Sequence, residues 1–94
     1  MPYIDVKKRQ KINKSLEEIE KLISVDKEFD VSPSEGDMNY IITILLLTYL
    51  SVKGESYATY NSIIGILECV KQEIYRRKIS GYENKKIDIN GDVF

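Results

Sequence analysis

Histidine and tryptophan are absent from the sequence, and cysteine occurs once, as Cys69. Without an imidazole there is no Ser-His or Cys-His nucleophile system and no His-containing metal site. One thiol makes no intrachain disulfide, and its position beside Val70 in a helical pattern predicts a small buried hydrophobe. The Glu and Asp side chains are scattered: Glu17, Glu18 and Glu20 share a solvated helix face, and Glu68 and Glu73 sit five apart, so no acid-base pair is evident. Phosphate-loop, dinucleotide and zinc spacings are missing as well. The expectation is a non-enzyme with no catalytic residues, no metal and no cofactor.

No charge sign dominates, because 14 basic residues face 15 acidic ones in 94. That balance provides no overall field for nucleic acid. The distribution is uneven: Lys7, Lys8, Arg9, Lys11 and Lys14 lie near the start, and an acidic stretch runs from Glu17 to Asp37. The basic run reads as one end of a solvated helix, since the adjacent carboxylates would repel a phosphate backbone. Nucleic acid is therefore not an expected partner. A long uninterrupted apolar run is also lacking. Residues 38–52, MNYIITILLLTYLSV, are broken by Asn39, Thr43, Thr48 and Ser51 and fall short of the roughly 18 apolar residues a membrane helix needs. No membrane span is expected, and with one thiol and no signal peptide the cytoplasm is the expected location.

What the sequence does contain is helical periodicity. Ile12, Leu16, Ile19 and Ile23 recur at helical spacing and predict an amphipathic helix over about 6–24, capped by Asp5 and carrying a Glu17–Lys21 pair. Residues 25–31 lose the period and read as a loop pinned by Phe29. Ser32, Pro33, Ser34 and Glu35 read as a capping box with proline at the first helical position. The 38–52 run then forms a core helix, apolar on every side and so buried on every side, which Gly54 ends. Ile63, Leu67, Val70 and Ile74 place a third helix over about 59–80, with Gly81 as its stop. Gly65 inside it costs roughly 1 kcal/mol against alanine, which a closely approaching helix would offset. After Gly81 the alternation of Ile87 and Ile89 and the turn at Asn90-Gly91-Asp92 predict an extended, docked tail.

The fold expected is all-α and a single helical domain over 1–94. The second and third helices form an antiparallel hairpin, the N-terminal amphipathic helix crosses it, and an extended C-terminal tail follows. Three such helices do not cover all sides of the 38–52 run. A homo-oligomer is expected to cover the remainder, with Ile44, Leu45, Leu47 and Tyr49 at the subunit contact.

Seven tyrosines and two adjacent arginines supply the candidate ligand-binding side chains. A tyrosine ring stacks on a base, and a guanidinium grips phosphate oxygens in a fork. Hairpin geometry would set Asn39 and Tyr40, at the anion-attracting start of the second helix, level with Tyr75, Arg76, Arg77 and Tyr82. The ordinary alternative pairs Asp37 or Glu35 with one of the arginines. Tyr57, Tyr60 and Asn61 form a second cluster at the opposite end, where loop packing with Thr59 as a helix cap is the alternative. Antiparallel neighbours in an oligomer would bring one subunit's Tyr57 toward another's Arg76.

The segments GDMNYIIT, ESYATYNSIIGILE, EIYRR, GYENKKI and NGDVF resemble, in that order, a small family of tailed-phage and related bacterial genomes. The likeness covers about 36–94. It implies a phage context, and small helical phage proteins without catalytic groups resemble proteins that neutralise host defence by sequestering nucleotide signals. The function expected on that analogy is binding, without cleavage, of a cyclic ADP-ribose-type molecule, an ADP-ribose conjugate or a cyclic dinucleotide in the host-cell cytoplasm. The alternative is a protein–protein inhibitor or adaptor acting on a host enzyme through an apolar or acidic face, the stretch from Glu17 to Asp37 being the natural surface.

Overall fold

A computed structural model of the chain describes residues 3–24 and 34–94. Among them every regular element is helical. Helix α1 spans Val6–Ile23 and α2 spans Glu35–Lys53. The third helix is continuous in three parts: α3 over Tyr57–Ile74, a π-helical turn over Tyr75–Ile79, and α4 over Ser80–Asn90. The all-α expectation holds. The chain resolves into two compact units, Tyr3–Glu55 and Ser56–Phe94.

In the first unit, α1 begins where Asp5 accepts from the Lys8 backbone N–H at 2.9 Å, as the sequence predicts. Its one ion pair within the last two turns joins Lys21 to Glu18 at 3.9 Å rather than to Glu17. The start of α2 differs from expectation: Ser34 is the cap, accepting from Asp37 N–H at 3.1 Å, while the Asp37 carboxylate accepts from Ser34 N–H at 2.8 Å. Asp37 serves the box because it stands three residues past the serine, so Glu35 becomes the first helical residue. Ser32, Pro33 and the loop containing Phe29 lie outside the described residues. Gly54 closes α2 at φ +88°, a conformation that side chains with a Cβ rarely adopt, and its N–H donates to Leu50 O at 2.8 Å.

Helix α3 starts earlier than predicted. Ser56, not Thr59, is the cap, and its hydroxyl accepts from Thr59 N–H at 3.1 Å. The extended tail after Gly81 is corrected outright: residues 80–90 are helical, and only Gly91 to Phe94 lie beyond the helix. Gly81 does not leave helical conformation, because Glu83, Lys85 and Lys86 are good helix formers and no proline follows to stop them. Gly91, at φ +87°, is the residue that ends it.

Among the described residues no side chain is buried. Among the described residues of α2, Met38, Ile41, Leu46, Tyr49 and Leu50 are half-buried, while Ile42, Ile44, Leu45 and Leu47 are exposed. Cys69, expected inside, is exposed. Within its own unit, the space within 4 Å of a side-chain position at Gly65 is open. No helix among those residues is long and apolar enough to cross a membrane.

Candidate functional site

The nine candidate binding residues divide between the two units. Asn39 and Tyr40 belong to the unit Tyr3–Glu55, and the other seven to Ser56–Phe94. Asn39 sits in the second turn of α2, where the Thr43 hydroxyl donates to its backbone oxygen at 2.7 Å. The same hydroxyl lies 3.3 Å from the Asn39 side-chain oxygen. Tyr40 lines an apolar groove of about 200 Å³ with Ile19 and Leu22 from α1 and Ile41, Ile44 and Leu45 from α2. Of the α1 seam, Ile19 lines this groove, and the Tyr40 hydroxyl is the one polar side-chain group among its described lining residues.

In the second unit Tyr57, Tyr60 and Asn61 occupy the first turns of α3, while Tyr75, Arg76 and Arg77 come after its end. Asn61 and Tyr75 are separated by fourteen residues of helix, which at about 1.5 Å per residue is roughly 21 Å. One copy of this helix does not bring the two clusters together.

Tyr75, Arg76 and Arg77 fall in the π-helical turn, with Lys78 and Ile79 completing it. There the Ser80 N–H reaches back to Tyr75 O, one residue further than an α-helical bond spans. Such turns inside α-helices occur frequently at functional positions, since the widened backbone displays its side chains differently. Arg76 Nη2 donates to both carboxylate oxygens of Glu73, at 3.0 and 3.1 Å. Glu73 is one helical turn from Arg76, so this pair is local to the helix, while Asp37 is engaged in the α2 cap. Arg77 has no ion-pair partner among the described residues. Three consecutive basic side chains, one of them neutralised locally, thus stand on an exposed turn.

The Tyr75 hydroxyl donates to the Glu83 carboxylate at 3.1 and 3.2 Å, and this bond, with the negative charge behind it, raises the phenol above its usual pKa of 10.0. Tyr82 has the Lys86 ammonium 5.5 Å from its ring centroid. Glu68 accepts from Gln72 at 2.9 Å and lies 3.7 Å from Lys71, and both hold its carboxyl below the ordinary value. These are local helix contacts, and none assembles a reacting constellation. Among the described residues no group of His, Cys, Asp or Glu could hold a metal ion.

Sequence reasoning missed two features. One is the π turn itself, which no residue pattern announces. The other is a shallow depression of about 360 Å³ at the end of α4, lined by Glu83, Lys86, Ile87 and residues 90–94. The charged, proline-free run from Glu83 to Lys86 was the available signal that helix continued this far.

The described residues, all-helical with a basic π turn and exposed tyrosines, define a small all-α protein. Within that class, the chain belongs to the family described as Domain of unknown function (DUF6899), whose profile matches residues 1–93. No curated protein and no solved structure matches the chain.

Proposed function

We propose that this is a homo-oligomeric binding protein, each chain one helical domain with α2 and α3 as an antiparallel hairpin, that sequesters a nucleotide-type signal without cleaving it. The reading rests chiefly on the π turn, which sets Arg77 and Lys78 on an exposed, widened backbone beside Tyr75 and close to Tyr82. Guanidinium and ammonium groups meet phosphates there, and tyrosine rings offer faces to a base. The phage resemblance of the sequence segments gives the reading its context: counter-defence in a host cytoplasm. Native mass spectrometry against ADP-ribose, cyclic ADP-ribose, cyclic di-AMP and cyclic di-GMP tests it. An oligomer carrying one of these, recovered chemically intact after denaturation, is the expected result. A bound mass of hydrolysed product would make the protein an enzyme, and the absence of binding to all four would reject nucleotide sequestration.

The exposed apolar face of α2, with Tyr40, Ile44, Leu45 and Leu47, favours a second reading, an adaptor or inhibitor that docks on a host enzyme. Part of the acidic stretch from Glu17 to Asp37 lies outside the described residues, so the apolar face is its main support. A monomer that binds no nucleotide would bring this reading forward.

A further inference from the structure

We infer that two copies of the chain pair antiparallel through α3, and that the nucleotide site, on whose existence this second part rests, is built from Tyr57 and Tyr60 of one copy and Arg77 of the other. The starting point is the pattern of exposure along α3. Tyr60, Ile63, Leu67, Val70 and Ile74 recur at alternating spacings of three and four, the seam of a coiled coil. Ile63 is half-buried, and the other four are 47%, 40%, 50% and 51% exposed in chain order. Ile64 beside them is 65% exposed. Among the described residues, the unit that contains this seam holds one continuous helix.

A second copy fits because the seam is its own complement. In an antiparallel pair, the first and fourth heptad positions face each other across the axis. Leu67 then stands level with the second copy's Val70, Ile63 with the second copy's Ile74, and Tyr60 with the second copy's Arg77. All four inner layers are apolar. Each outer layer sets a guanidinium against a phenol ring, an attractive pair. Shifting the register by one heptad would instead place Ile74 against Ser56, whose hydroxyl already caps α3. Parallel pairing would put Arg77 against Arg77 and repel.

The same register resolves the separation of the two tyrosine and arginine clusters. They lie roughly 21 Å apart along one helix, beyond the span of one small nucleotide, yet they become level across the pair. Two equivalent sites follow from the two-fold symmetry. Arg77 rather than Arg76 is the phosphate ligand, since Glu73 holds Arg76 at 3.0 Å. Tyr57, in the first turn of α3, flanks Tyr60 and widens the stacking surface.

Two measurements test pairing and site separately. In a Cys69→Ser background, Ile63→Cys and Ile74→Cys proteins are mixed, refolded together and oxidised. A disulfide-linked heterodimer, formed in preference to either homodimer, is expected. Dominant Ile63→Cys homodimers would make the pair parallel, and a monomeric, unlinked mixture would mean that the chain covers its own seam; either overturns the pairing. For the site, Tyr60→Ala and Arg77→Ala proteins are titrated with cyclic di-AMP and ADP-ribose. Each alone is expected to lose about tenfold or more in affinity for the probe that the parent binds. Refolded as a mixture, they should recover parent-like affinity in about one quarter of the sites, because half the pairs are mixed and each has one intact site. No recovery would place the site within one chain and overturn its composite nature. Cross-linked pairs whose parent binds neither probe would overturn the site while the pairing stands.

Discussion

The phenolic hydroxyl of Tyr75 is bonded to the carboxylate of Glu83, eight residues further along the same helix. In an uninterrupted α-helix, residues eight apart point in directions differing by about 80°, whereas those seven apart nearly align. The π turn between them absorbs one extra residue, so the pair meets on one face. The apolar line shows the same surplus: Ile74 is followed by Tyr82 after eight residues and then by Ile89 after seven, both exposed.

This bond should be visible in a titration. Tyr75 has its folded pKa raised by the hydrogen bond to Glu83 and by the carboxylate charge. The contribution of the bond is therefore complete below the ordinary tyrosine pKa of 10.0 and is lost as pH rises through the higher folded value. Ultraviolet titration of the phenols should show a late component from Tyr75. Glu83→Gln should move that component to lower pH; an unchanged late component in this variant would assign it elsewhere.

Arginine substitutions should separate the two guanidiniums. Arg77→Ala is expected to weaken nucleotide binding about tenfold to a hundredfold, the loss of one charge-assisted contact. Arg76→Ala should do much less, because its charge is spent on Glu73. Calorimetric titration of folded proteins decides between them, and equal effects would place both at the phosphate.

Leu47 is exposed on α2 between Thr43 and Ser51, in the apolar face expected at a subunit contact. If the proposed oligomer uses this face, Leu47→Glu should dissociate it or unfold the chain, since a carboxylate carried into an apolar contact is left unpaired. Light scattering and thermal melting report the outcome. The same mass and the same midpoint as the parent would remove α2 from the interface.

Gly65 offers the opposite case. Open space surrounds it, and it lies on the far side of α3 from the Leu67 seam. Gly65→Ala should stabilise the folded protein by about 0.5–1 kcal/mol, measured by denaturant unfolding. A destabilised variant would show that another helix packs at this position.

Much of this architecture was legible in advance, for reasons that differ from element to element. The seam of α1, its Asp5 cap and the stop at Gly54 are local signals, fixed by neighbours within four residues, and they appear where the sequence places them. The start of α2 was displaced because Ser32 and Ser34 both satisfy capping chemistry and only Asp37 decides between them. Gly81 misled for a similar reason: a glycine is read as a stop, yet it ends a helix only when it takes positive φ, and Gly91 does so instead. Of the candidate site, Tyr75, Arg76, Arg77 and Tyr82 proved neighbours in one helix. Their separation from Tyr57, Tyr60 and Asn61 follows from helix length, which the spacing of apolar residues already contained. The π turn was illegible, because its i→i+5 bond depends on backbone geometry that no side-chain pattern encodes.

That turn also bears on how the gene is read. A helix that closes over an extra residue and keeps both of its ends in phase is one codon longer than its folding requires. Removing the codon for Lys78 should leave a regular α-helix with the faces on either side still aligned, and the deletion variant should melt no lower than the parent. What it would lose is the widened display of Arg76 and Arg77. Should the proposed nucleotide binding be found in the parent, a deletion variant that folds as before yet no longer binds would show that the surplus codon is kept for its contribution to binding; one that binds undiminished would leave it a neutral insertion.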